Sequence, residues 1–90
     1  MQTLAVRIED PAGLHARPAA ELVSLALSYE CSVVLETAQG SCSCKDMFQV
    51  LGLDVCQGDE VTITCSGTDE VEAAEALVRL FSSAAQRIED

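Results

Sequence analysis

The chain has a single histidine, and its neighbours are of types that can handle a phosphoryl group: Gly13-Leu14-His15-Ala16-Arg17-Pro18-Ala19-Ala20. Pro18 has no backbone N–H to lose, and its fixed φ suits a first helical turn. Gly13 allows the tight approach that precedes it. The spacing thus puts His15 where a turn gives way to a helix. A helix start offers unpaired N–H groups and the positive end of the macrodipole. A neutral imidazole there can act as a nucleophile. An anion carried on it would rest against the backbone donors of Ala16 and Arg17, and the Arg17 guanidinium would add charge-assisted hydrogen bonds.

The elements that must hold this site can be read from periodicity. Leu4, Val6 and Ile8 alternate with Thr3, Ala5 and Arg7, which predicts a first strand. Asp10-Pro11-Ala12-Gly13 is a turn. A helix over about residues 16–28 carries Ala19, Leu22, Val23 and Ala26 at helical spacing. Residues 32–37 are β-branched and apolar and read as a second strand. Ala38-Gln39-Gly40 turns into a short third strand, about residues 41–44. A short second helix covers about residues 47–51. After the turn Gln57-Gly58-Asp59, a fourth strand runs over residues 60–66, with Val61, Ile63 and Cys65 on one face. Asp69 as N-cap and Glu72 three residues on read as a capping box for a third helix, whose apolar face is expected to hold Val71, Ala74, Val78, Phe81 and Ala85. The order β-α-β-β-α-β-α suggests an α+β two-layer sandwich, a four-stranded sheet with helices packed on one face. No repeat or linker interrupts it, so residues 1–90 read as one domain.

Composition narrows the function. The formal charge is −10, and the five basic residues, Arg7, Arg17, Lys45, Arg79 and Arg87, form no run. Nucleic acid would need a basic stripe and is not expected as a partner. No apolar stretch approaches the roughly 20 residues of a membrane span, and the start lacks the basic region of a secretory signal. A soluble, cytoplasmic chain without membrane insertion is expected. The five cysteines are odd in number, which argues against a disulfide framework. Cys42 and Cys44 lack the C-x-x-C spacing of a metal site, and no metal is expected. The five read best as small, buried, reduced side chains.

With these blocks in place, the chain resembles the histidine-containing phosphocarrier family HPr of the bacterial phosphoenolpyruvate–sugar phosphotransferase system. Gly13-Leu14-His15-Ala16-Arg17-Pro18-Ala19 carries most of the likeness. Lys45-Asp46-Met47-Phe48, Gly52-Leu53, Gln57-Gly58-Asp59 with Val61-Thr62-Ile63, Gly67-Thr68-Asp69-Glu70 and Leu80-Phe81 stand in register with it. The resemblance implies an open-faced β-sandwich with antiparallel strands. It implies a carrier rather than an enzyme, a monomer without a cofactor, phosphorylated on His15 Nδ1 with Arg17 beside the group. Enzyme I would be the donor and the IIA domains of sugar permeases the acceptors. Two other readings stand beside it: a paralogue serving a nitrogen-type regulatory branch, and a binding module for regulatory proteins with weakened transfer.

The chain departs from the family's pattern at three places. Asp46 stands where many relatives from Gram-positive bacteria carry a phosphorylatable serine. It can serve simply as a helix N-cap, or its carboxylate can partly imitate phosphoserine. Relatives commonly carry lysines on the first two helices, and here those positions offer Glu21 and Gln49. Met47, Phe48 and Leu51 then remain as the apolar part of a partner interface, although a two-turn helix must bury one face, so some of the three are expected in the core. Ala12 replaces a Ser, Thr or Asn that could support the histidine turn.

Overall fold

The computed structural model describes residues 1–88. Strands β1 (Gln2–Arg7), β2 (Ser32–Thr37), β3 (Gly40–Ser43), β4 (Glu60–Ser66) and β5 (Ala85–Ile88) form one sheet in the order β3-β2-β4-β1-β5. Every neighbouring pair is antiparallel. Helices α1 (Ala16–Leu27), α2 (Met47–Gly52) and α3 (Glu70–Phe81) make the second layer. Leu4, Val6, Val33, Leu35, Val61, Ile63 and Cys65 are buried beneath it, together with Ala19, Leu22, Val23 and Ala26 of α1. On the opposite face, Ser32, Val34 and Glu36 are exposed and Thr62 and Thr64 only half-buried. Period-2 alternation thus sends one set of side chains inward and leaves the other face of the sheet open. Among the described residues, no helix is long and apolar enough to cross a membrane.

The sheet has five strands, not the expected four. Ala85, placed by periodicity on the third helix, instead opens β5 and pairs with Val6 of β1. The helix stops at Phe81 because Ser82 adopts φ 52°, and a 3-10 turn over Ser82–Ala84 redirects the chain. The face of α3 also differs from expectation. Ala73, Ala74, Ala76 and Leu77 are buried, Val78 and Phe81 only partly so, and Val71 lies in solvent. Small alanines let α3 approach the sheet closely, so the helix buries a face that a search for large apolar residues does not select. The third strand lies one residue earlier than expected, and Cys44 prolongs its pairing by donating N–H to the Val33 carbonyl at 2.7 Å.

The expected capping box is replaced by a longer-range contact. Asp69 is the N-cap of α3, but its carboxylate makes no bond to that helix. It accepts the N–H groups of Glu30 and Cys31, both at 2.9 Å, and so ties the entry of β2 to the start of α3. Glu70 accepts the Gly67 N–H at 3.0 Å and pairs with the terminal ammonium of Met1. The Glu30 N–H holds the Asp69 carboxyl below its usual range, and the Met1 ammonium does the same for Glu70. A depressed folded-state value means the contribution is complete above the unfolded carboxylate range and is lost as pH falls through the folded value. Wild-type protein should therefore melt at progressively lower temperature below about pH 4. Asp69→Ala should melt lower than wild type near neutrality, with the gap closing in acid. Thermal melts across that range, followed by circular dichroism, check both statements.

Candidate functional site

The site is built on the turn between β1 and α1. Asp10 opens it. The Gly13 N–H donates to the Asp10 carbonyl at 2.8 Å, and the Ala12 N–H donates to Asp10 Oδ1 at 2.9 Å. Gly13 adopts φ +72°, a region that costs an L side chain energy. The next residue, Leu14, is buried and donates its N–H to the Val55 carbonyl at 3.0 Å. These contacts deliver His15 as the N-cap residue of α1, in extended conformation with φ −82° and ψ −171°. Its carbonyl accepts the Ala19 N–H, while its side chain does not cap the helix. The first-turn N–H groups of Ala16 and Arg17 consequently lack an intrahelical partner, and Pro18 adds none.

The imidazole is 40% exposed in its side chain. Its Nε2 lies 3.3 Å from Asp10 Oδ2. Nδ1 takes no hydrogen bond from the described residues. The Ala12 N–H, and after it His15, hold the Asp10 carboxyl below the usual carboxylate range. Arg17 points elsewhere: its side chain is 87% exposed and its Nε faces Glu21 Oε1 at 3.9 Å, one helical turn on. That contact is long and solvated, so it is weak, and the guanidinium is free to swing.

Asp46 is the N-cap of α2 and accepts the N–H groups of Phe48 at 3.0 Å and Gln49 at 3.2 Å. The Gln49 side-chain amide donates to its second oxygen. This geometry favours the helix-cap reading of Asp46. Asp46→Ala should cost about 1 kcal/mol, whereas Asp46→Ser should cost only a few tenths, since serine caps nearly as well. Urea denaturation of both variants measures the difference.

The residue of α2 that enters the core is Val50, not one of the expected three. Met47 packs partly against the core, Leu51 is 38% exposed and Phe48 is 88% exposed. Lys45, the only lysine, is half-buried and already engaged. Its Nζ donates to the Tyr29 carbonyl at 2.8 Å, beyond the end of α1. Sequence reasoning missed this role, and that of Asp69, because their partners lie 16 and about 38 residues away. From the sequence, Asp10 reads only as a turn residue. An aspartate at the first position of a turn usually engages nearby N–H groups, and that was the available signal.

Of the five cysteines expected to be buried, Cys31, Cys44 and Cys65 are, but Cys42 is half-buried and Cys56, in the loop between α2 and β4, is exposed. Burial pushes the Cys44 thiol up to about 12 and the Cys65 thiol up to about 11, which leaves both unreactive. Among the described residues, no three of His, Cys, Asp and Glu come together as a metal set.

The family model described as the PTS HPr component phosphorylation site matches residues 3–83. The chain belongs to the HPr family. It is 35% identical to the phosphocarrier protein HPr of Lysinibacillus sphaericus, over 91% of this chain and 93% of that one. It is 37% identical to the phosphocarrier protein NPr of Proteus mirabilis, over 87% and 88% of the two chains. The fold matches a crystal structure of HPr from Thermoanaerobacter tengcongensis with a TM-score of 0.86 and 34% identity, covering 93% of this chain and 94% of that one. The protein is thus an HPr-type phosphocarrier of the phosphotransferase system.

Proposed function

We propose that the phosphoryl group is carried on Nδ1 of His15, received from phosphorylated enzyme I and passed to IIA domains of sugar permeases. The observation that carries this reading is an exposed imidazole at the start of α1, beside the partnerless N–H groups of Ala16 and Arg17. Such a site attracts an anion through the helix dipole and two backbone donors. Its openness suits transfer, since tight binding of the charged state would slow delivery. Arg17 reaches the phosphoryl oxygens by leaving Glu21. Phe48 and Leu51, with Met47 behind them, form the apolar part of the docking surface. The carrier is consumed and regenerated stoichiometrically, and the magnesium of the donor reaction belongs to enzyme I.

A second reading, a carrier in a nitrogen-type regulatory branch, is favoured by the comparable identity to the Proteus mirabilis NPr. The same experiment separates the two. The protein is incubated with phosphoenolpyruvate, magnesium and either a sugar-branch or a nitrogen-branch enzyme I, and its intact mass is read beside His15→Ala. An acid-labile gain of one phosphoryl group, absent from the variant, is expected. The faster of the two donors names the branch. No gain with either donor would move the protein to a binding module that has lost its donor.

A further inference from the structure

We propose that Asp10 is a positioning residue for phosphoryl transfer: its carboxylate accepts a hydrogen bond from the Nε2 proton of His15 and so keeps the Nδ1 lone pair free to attack. The inference rests on the reading of His15 as the carrier and adds a residue to that site. Asp10 Oδ1 is occupied by the Ala12 N–H, which fixes the carboxylate plane and leaves Oδ2 directed at the ring, 3.3 Å from Nε2. An ionised carboxylate can only accept, so Nε2 must donate. A neutral imidazole has one ring proton. With that proton on Nε2, Nδ1 holds its lone pair, and Nδ1 takes no hydrogen bond from the described residues.

The Nδ1 lone pair forms the P–N bond, and the donor's bond to phosphorus breaks with its electron pair leaving on the donor. No proton enters or leaves His15. The ring becomes a phosphoimidazolium whose positive charge spreads to Nε2, where the Asp10 carboxylate already sits. A contact of 3.3 Å is longer than a charge-assisted N–H···O bond of about 2.7–2.9 Å. It can shorten as the ring charges, so the contact strengthens during transfer and not before it. On delivery the pair of the P–N bond returns to Nδ1 and the contact relaxes.

Asp10→Asn tests this with little change of shape. The asparagine Oδ1 can still accept the Ala12 N–H, but an amide NH2 then faces Nε2 and can only donate. Long-range 1H–15N NMR of the imidazole, above the pH at which it is doubly protonated, should show the proton on Nε2 in wild type and on Nδ1 in Asp10→Asn. The rate of phosphorylation by enzyme I and phosphoenolpyruvate should fall by about ten- to a hundredfold, as when a histidine loses its orienting partner, with KM for the carrier unchanged. A purely structural role for Asp10 would not move the tautomer. The proposal is overturned if wild type carries the proton on Nδ1, a result that needs no variant to fold. It is also overturned if Asp10→Asn keeps the wild-type tautomer or the wild-type rate. The tautomer is read without any donor, so its outcome is independent of whether His15 accepts phosphate, which the His15→Ala mass comparison decides.

Discussion

Replacing Gly13 by alanine should unfold the site before it unfolds the protein, and should cost heavily in both. A Cβ at Gly13 would sit 2.3 Å from the Val55 carbonyl oxygen and 3.0 Å from the Cys56 Cα, both backbone atoms that no rotamer change can move. That same carbonyl accepts the Leu14 N–H, so relief of the clash must pull apart the bond that seats the residue before His15. The φ of +72° adds the left-handed penalty. Together these should cost about 2–4 kcal/mol, or a fall in Tm of roughly 10 °C or more for a domain of this size. Phosphoryl acceptance should fall further than the loss of folded protein explains, because His15 is displaced from the first turn of α1. Gly58→Ala is the control. Gly58 also has a positive φ, +90°, but nothing lies within 4 Å of its Cβ position. It should cost only about 1–2 kcal/mol, the conformational term alone. Equal melting temperatures for the two variants would show that the close approach to Val55 does not matter.

Phe48→Ala should have the opposite profile, with unchanged stability and crippled docking. The ring is 88% exposed and stands outside the core cluster, so its loss should change folding by less than about 0.5 kcal/mol. A large exposed aromatic next to a half-exposed Leu51 is the kind of anchor that dominates a protein interface. Here it has little electrostatic help. The chain carries a net charge of −10, and its one lysine is engaged with the Tyr29 carbonyl. Long-range attraction to an acidic partner is therefore weak or repulsive, and more of the affinity must come from apolar contact. KM for the carrier in the enzyme I reaction should rise about ten- to a hundredfold in Phe48→Ala, with kcat little changed. Val50→Ala provides the contrast, since Val50 is 1% exposed: it should lower Tm while leaving KM of the folded protein near wild type. A wild-type KM for Phe48→Ala would remove α2 from the docking surface.

The parts of this structure visible in the sequence are those held by local pattern. The ranges 32–37 and 60–66 emerge as strands because alternating β-branched and apolar residues both favour the strand and mark its buried face. The stripe of α1 is equally legible, and all four residues expected to be buried are buried. What escaped was set by contacts distant in sequence. β5 has no alternation to reveal it, since three of its four residues are exposed and it is held by backbone pairing to β1. The end of α3 depends on a positive φ at a serine, a residue type that does not announce one. Asp69 looked like the start of a capping box because that motif is local, but its carboxylate finds better partners at Glu30 and Cys31. At the site, the position of His15 followed from Gly13 and Pro18 alone. The contact with Asp10 did not, because it depends on the turn conformation that brings two side chains five residues apart to the same side.

The sheet order also sets a timetable for the ribosome. β1 is synthesised before both of its pairing partners, β4, with Gln2 opposite Cys65, and β5, with Thr3 opposite Ile88. Leu4 and Val6, fully buried in the finished protein, have no sheet to enter until β4 has emerged. Closing so long a loop before any contact rewards it slows folding. Until then the nascent chain must carry an unpaired apolar strand, directly joined to the turn that will hold the histidine. The turn that carries His15 thus settles only once β4 is available, although its residues are made before that strand.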